Sequence, residues 1–223
     1  SDIYAQKINS NGLTDWDDGL AISIAEGIQN EHRLTMDGIG GVYFVWEDWR
    51  NSDETGRDIY AQHVTSSGYI THDDNGVLIC DEENKQFGPL VRNDGSGGAI
   101  IIWNDQRYGG SYGLFVQRLL TSGISFPSNG KESIFGIGTD ASNEPYEHES
   151  VYLDNDKSLV YWQDSRWGDS KIYGLLVSNA YDGFCCSGDD YFDHPDINGQ
   201  QLSELDYSQK NPKAILIENK IFL

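Results

Sequence analysis

Positive charge, cysteine, methionine and long apolar runs are all scarce in this chain, and each shortage closes off a class of protein. Fifteen Lys and Arg stand against 36 Asp and Glu, a formal net charge of −21 over 223 residues. Such a balance repels nucleic acid and anionic membrane at long range, so neither is expected as a partner. The three cysteines, Cys80 and the adjacent Cys185 and Cys186, do not make a disulfide framework, because the number is odd and neighbours in sequence seldom bridge. Nor do they supply two clusters at zinc-ligand spacing, and they read as small buried side chains. No run approaches about 18 consecutive apolar residues, so no transmembrane helix is expected. There is no initiator Met and no signal-type segment at the start, which implies a processed product or part of a longer chain. What the chain does hold is 25 glycines and 12% aromatic residues. With few helix-forming runs beside them, these suit a turn-rich β protein better than a disordered acidic one.

The glycines and aromatics recur in order. An apolar run ending in Trp-x-Asp-x-Arg occurs three times, with Trp46, Asp48 and Arg50, then Trp103, Asp105 and Arg107, then Trp162, Asp164 and Arg166. Residues 2–12 alternate in the manner of a strand and end in an Asn-Gly turn, and their phrase Asp2-Ile3-Tyr4-Ala5-Gln6 returns after the first Trp-ended run as Asp58-Ile59-Tyr60-Ala61-Gln62 and more weakly at 113–119 and 171–177. A short apolar segment follows each phrase, at 19–23, 76–80 and 133–137, with Phe184, Cys185 and Cys186 in the fourth place. Another strand precedes each Trp-ended run, at 32–36, 89–92 and 150–153. Alternating patterns punctuated by Gly and Asn-Gly read as strands and turns, so each unit of about 56 residues holds four strands.

Four-stranded units of this length predict an all-β protein, a β-propeller in which each blade buries its faces against its neighbours. The units run approximately 1–56, 57–111, 112–170 and 171–223, as a single domain. The chain begins in mid-blade with the two outer strands and ends with two inner ones, Ala214-Ile215-Leu216-Ile217 falling where the fourth Trp-ended run should lie. Two arrangements satisfy that phase: a four-bladed ring closed by pairing N-terminal with C-terminal strands, which removes open edges, or a segment of a larger propeller. Residues 184–212 fit the repeat worst and are expected to be irregular beyond their first few positions.

With Trp-x-Asp-x-Arg, with the Asp-Gly-x-Gly-Gly of Asp37 to Gly41 and Asp94 to Gly98, and with Asp-Ile-Tyr-Ala-Gln, residues 1–183 resemble the propeller-type repeats of large secreted or surface proteins of bacteria. The resemblance implies a propeller fold and an extracellular or cell-surface location, and implies little about chemistry. The third unit departs from the pattern, lacking the double glycine and the Gln, and so does the tail.

The chemical-looking residues divide into two sets. Trp46, Trp103 and Trp162 with Asp48, Asp105 and Asp164 recur in three of the four units, as a feature of the repeat does, and are read as inter-blade core and structural ion pairs. Trp49, Tyr108 and Trp167 stand beside Arg50, Arg107 and Arg166 on one rim, where an aromatic face next to Arg and carboxylates suits stacking on a sugar ring. For a cation the candidates are Asp73, Asp74 and Asn75, and Asp193, Asp196 and Asn198. Calcium is the ion such oxygens would suit, although neither set completes an EF-hand loop. The five histidines lack ligand spacing and read as exposed or ordinarily hydrogen-bonded. No Gly-x-Ser-x-Gly or His-Glu-x-x-His occurs, and the Asp-box of sialidases is missing, since Ser10 to Trp16 matches it only superficially. Paired carboxylates for other glycosidases remain open among so many acids.

The expectation is therefore an extracellular, non-catalytic binding or scaffold module with a glycan or protein ligand and no required cofactor. The alternatives are a carbohydrate-binding rim on Trp49, Tyr108 and Trp167, and a propeller glycosidase.

Overall fold

A computed structural model describes residues 1–16, 18–107, 113–124, 135–138, 148–153, 157–164, 169–178, 200–202, 212–213, 215–217 and 220–222. These contain strands and turns and no helix. In chain order the strands are β1 (Ile3–Ala5), β2 (Leu20–Ser23), β3 (Gln29–Met36), β4 (Val42–Asp48), β5 (Asp58–Val64), β6 (Val77–Cys80), β7 (Gln86–Asn93), β8 (Ala99–Asp105) and β9 (Gly113–Leu120). There follow β10 (Gly123–Ile124), β11 (Phe135–Gly138), β12 (His148–Tyr152), β13 (Lys157–Asp164), β14 (Lys171–Ser178), β15 (Gln200–Gln201), β16 (Ile215–Ile217) and β17 (Lys220–Phe222).

Every ladder is antiparallel. A two-stranded half-sheet, β1–β2, is followed by a first full sheet in the order β3-β4-β5-β6. A second sheet runs β7-β8-β9, with β10 and β11 both on the outer edge of β9. The third runs β12-β13-β14-β15, and β16–β17 form a terminal hairpin. Register repeats with the sequence: Trp46 lies opposite Tyr60, Trp103 opposite Phe115 and Trp162 opposite Tyr173. The first strand bulges at the same place in the first two sheets, between Asn30 and Arg33 and between Phe87 and Leu90.

Alternation along the second strand of each sheet divides its side chains between two neighbours. Phe44 and Trp46 pack with Ile3 and Ile22 of the half-sheet, while Tyr43 and Val45 pack with Val91, Ile101 and Trp103 of the next sheet. Ile100 and Ile102 then pack with Val160 and Trp162 of the third. Each Trp thus faces the sheet before its own, and all three are 0% exposed. Each also lies near-parallel to the aromatic ring across the ladder, with centroids 6.3, 6.1 and 6.2 Å apart. This is sheet-on-sheet burial repeated three times, and it explains why the second and third strands carry almost no polar surface.

The tight turn joining first to second strand depends on glycine. A Cβ at Gly41 would fall 2.3 Å from Asp37 Oδ2, and one at Gly98 would fall 2.5 Å from Asp94 Oδ2. The Asp-Gly-x-Gly-Gly phrase is therefore a carboxylate folded back into its own turn, with room left only where no side chain stands.

Two expectations need correction. The phrase at 2–12 forms a ladder only over Ile3–Ala5, with one isolated bridge from Ile8 to Thr14 across the Asn9–Gly12 turn. The stretch 184–212 does hold a strand, β15, which fills the outer place of the third sheet opposite Tyr173 and Gly174. Phe184, Cys185 and Cys186, expected there, lie outside the described residues. Pairing between the terminal strands is not among the described ladders: β1 pairs with β2, and β16 pairs with β17.

Candidate functional site

The connections from β4 to β5 and from β6 to β7 lie on one rim, where the Trp-x-Asp-x-Arg motif of the first sheet ends. There the motif closes on itself. Trp46 Nε1 donates to Asp48 Oδ2 at 2.8 Å, and Arg50 forks onto the same carboxylate, Nε to Oδ1 at 2.9 Å and a terminal nitrogen to Oδ2 at 2.6 Å. The guanidinium rests 3.8 Å from the centroid of Tyr60, the ring opposite Trp46. In the second sheet Trp103 and Arg107 meet Asp105 in the same way, with Arg107 over Phe115 at 4.1 Å. Asp48 and Asp105 are fully buried, so each carboxylate is compensated by an indole donor and a bidentate cation in a site shielded from water. Asp164 ends β13, and its side chain lies outside what is described, as does Arg166.

These arginines are already engaged. Arg50 also donates to the carbonyl of Asn75 at 2.9 Å, and Arg107 reaches Cys80 Sγ at 3.1 Å and Glu82 at 4.0 Å. Burial pushes the Cys80 thiol well above its usual range, the neighbouring Arg107 opposing that only in part. The thiol is accordingly a neutral packing group.

Of the three rim aromatics, Trp49 is described, while Tyr108 and Trp167 lie outside the described residues. Trp49 is half-buried, and Arg57 lies 5.4 Å from its ring and 5.1 Å from that of Phe87. Arg57 in turn donates to Glu47 Oε2 at 2.9 Å, and Glu47 Oε1 accepts the N–H of Gly88 at 2.9 Å. That N–H is free to do so because Gly88 sits in the bulge of β7, out of the ladder. Glu47 is therefore a buried bridge between the first and second sheets. The indole N–H of Trp49 and the Nε of Arg57 are buried there without a protein partner.

Next to this cluster lies Asp58, also fully buried, held at Oδ2 by Asn51 at 3.3 Å and without a partner at Oδ1. Burial raises its pKa, and the nearby Asp81 and Asp48 carboxylates add to the rise. The rim thus presents one half-open indole, one partly exposed guanidinium and a buried acid within a few residues of chain. A partly exposed guanidinium beside an aromatic face can bind a polyol or a peptide.

The cation candidates take another form. Asn75 and Gly76 have φ of 66° and 92°, a tight turn into β6. Asn75 Oδ1 accepts the N–H of Ile24 at 2.8 Å, and its carbonyl accepts Arg50, so its oxygens are used. Asp73 and Asp74 point to solvent, and among the described residues no group of three or more His, Cys, Asp or Glu is placed to hold a metal ion. Asp193, Asp196 and Asn198 lie outside the described residues.

His63 has the hydrogen-bonded state expected of it, although buried, and His148 departs from that expectation. His63 is buried with Asp37, Nε2 to Oδ2 at 3.0 Å. His148 has both ring nitrogens buried near the backbone of Ile102 and Gly88 without a hydrogen bond of good geometry, and burial lowers its pKa to about 4. The first was legible in principle, because His63 stands in the repeat where Arg118 stands in the next unit, and Asp37 stands where Asp94 does.

No protein-family model matches the chain, and no curated protein matches it. Among solved structures it is similar to the endo-arabinase from Bacteroides thetaiotaomicron VPI-5482, at 13% sequence identity and a TM-score of 0.36, over 62% of this chain and 53% of that one. The chain thus spans about half the length of that structure.

Proposed function

We propose that this chain is a non-catalytic binding or scaffold module of propeller type, working outside the cell or at its surface. The observation that carries the reading is the repeated closure of Trp, Asp and Arg. In both sheets where the whole motif is described, the acid and the base that looked chemical hold one another and the indole in place. Groups spent identically in successive units serve the array rather than one reaction centre. Face-to-face packing of successive sheets, with each Trp turned to the sheet before, supports a propeller arrangement, as does the resemblance of residues 1–183 to propeller-type repeats. The location rests on that resemblance alone.

A second reading, a carbohydrate-binding rim, is favoured by Trp49. It is half-buried rather than sealed, and it stands beside Arg57 at the loop end, where a sugar ring would stack. A glycan array tests both readings. Binding that disappears on replacing Trp49, Tyr108 and Trp167 by Ala establishes the rim, and no hit at all retires it in favour of a protein ligand or a scaffold. Turnover of fluorogenic glycosides would replace both readings by a propeller glycosidase.

A further inference from the structure

Among the described residues, the large apolar side chains left in the open gather at one end of the array. Leu34 on β3 is 56% exposed, whereas Val91, which holds the same place in β7, is 0% exposed. Tyr4 on β1 is 61% exposed, against 7% for Tyr60, its counterpart on β5. Val91 and Tyr60 each pack toward the sheet before their own, and at the start of the array only the half-sheet β1–β2 precedes β3. Four other positions change character there. Ile24, Ile28, Met36 and Ile39 are exposed at places where the next unit has Asp81, Lys85, Asn93 and Ser96. Apolar residues standing in the open where the repeat allows polar ones mark a face that something covers.

The backbone edge beside that face is open too. β5 has β4 on one side and β6 on the other, but among the described ladders β1, its counterpart, has only β2, and β17 has only β16. Two residues separate β16 from β17, as a turn from first to second strand needs, whereas the connection from β4 to β5 takes residues 49–57. Gln209 and Pro212 precede β16 with the spacing of Gln86 and Pro89 in β7. β16 and β17 are therefore a first and a second strand, one place earlier than the spacing of the Trp-ended runs predicts. A first and a second strand are what β1–β2 lacks.

We propose that the β16–β17 hairpin of one copy docks on the β1–β2 half-sheet of a second copy, β17 pairing along β1, so that two half-sheets from different copies form one four-stranded sheet. The incoming hairpin covers Leu34 and Met36, and the third sheet of the same incoming copy faces Tyr4. This contact continues one already present, since Ile3 and Ile22 pack on Phe44 and Trp46 beside it. Charge favours it as well: residues 1–28 carry five acids and one lysine, and residues 208–223 carry three lysines and one acid. Within one chain the hairpin stands by the third sheet, where Glu149 of β12 accepts from Lys213 Nζ at 2.7 Å, and Leu34 stays uncovered. The contact is head-to-tail, so it ends only by closing a ring. Two copies supply six whole sheets and two shared ones, eight in all, within the usual range of about four to eight blades. That count rests on the propeller reading above; the pairing of β17 with β1 does not.

The test is the mass of the intact chain by light scattering, with hydrogen exchange to place the contact. At micromolar concentration the wild type should have twice the mass of one chain, and on dilution the amides of β1 and β17 should lose protection together. Leu34→Asp should weaken association about tenfold or more, and so should Ile221→Pro, which removes a backbone donor from β17. Mixing the two variants pairs the intact face of each and should restore a dimer; no dimer on mixing means that like faces meet, and overturns the head-to-tail contact. A monomeric wild type overturns the proposal and leaves the propeller reading standing. A dimer that survives Leu34→Asp, or protection confined to other strands, overturns it too. A ladder of larger masses upholds the docking but overturns the ring of two, and with it the closure a propeller needs. Should a variant not fold, the wild-type mass and exchange decide.

Discussion

The indole N–H of Trp46 donates to the carboxylate of Asp48 at 2.8 Å, and this one bond ties the inter-sheet core to the rim. Asp48 is buried, and its remaining lone pairs are taken by the backbone and side chain of Arg50. Asp48→Ala leaves an indole donor and a guanidinium without their acceptor. It should lower unfolding stability by about 3 kcal/mol, the low end for breaking a buried pair, because Arg50 keeps some contact with water. Asp48→Asn, which retains one acceptor, should lose about half as much. Urea unfolding followed by tryptophan fluorescence measures both, and a loss under 0.5 kcal/mol for Asp48→Ala, within the ordinary effect of a surface substitution, would contradict the closed motif.

The turn at Asp94 gives a second measurement. A Cβ at Gly98 would meet Asp94 Oδ2 at 2.5 Å and the carbonyl of Leu119 at 2.9 Å, one of them backbone that cannot move alone. Gly98→Ala should therefore cost about 2 kcal/mol or more. Gly97→Ala meets no atom within 4 Å, and its cost is that of the left-handed backbone alone, φ 94°. Chemical denaturation of the pair should rank Gly98→Ala as the worse. The reverse order would mean that the carboxylate does not occupy that space.

Much of this architecture was legible because the repeat records it twice, once as spacing and once as pattern. Trp46, Trp103 and Trp162 fixed the register, and alternation about them gave the buried faces. The boundary of the phrase at 2–12 was not legible, because alternation continues past Ala5 into a turn that makes only one bridge. Nor was β15 at Gln200–Gln201, since two backbone pairings carry no hydrophobic signature. At the rim, sequence placed Asp48 beside Arg50 but missed Glu47 with Arg57 and His63 with Asp37. Those partners come from different strands or from a turn, and their meeting depends on register and on the bulge at Gly88, which single-residue patterns do not show.

Glu47 and Arg57 offer a test of the inter-sheet bridge. Arg57→Ala removes the cation and leaves Glu47 buried with only the Gly88 N–H. Because Arg57 is 23% exposed, the loss is discounted from that of a sealed pair to about 2 kcal/mol. Glu47→Gln in the same background should recover part of it, since a neutral amide no longer needs the cation. A double-mutant cycle should give a coupling of about 1 kcal/mol, and additive losses would show that the two side chains do not hold one another.

His148 sets the acid side of the stability profile. Its ring packs against the bulge of β7, with its Cε1 4.0 Å from where a Cβ on Gly88 would stand, and its buried nitrogens meet only the backbone of Ile102 and Gly88, without a hydrogen bond of good geometry. Burial disfavours the cation and lowers the pKa to about 4, against about 6.5 for a free imidazole. Between those values the unfolded chain binds a proton that the folded chain refuses. Stability is thus fully present above the unfolded pKa and falls as pH drops toward 4, by up to about 3 kcal/mol. His72, whose pKa is lowered by burial and by the nearby His63, acts in the same direction. Urea midpoints measured from pH 7 to pH 4.5 should therefore decline in the wild type. In His148→Leu, which fills the site without an ionisable group, the decline should shrink by more than half, leaving the share of His72. An unchanged slope in that variant would place the acid sensitivity elsewhere.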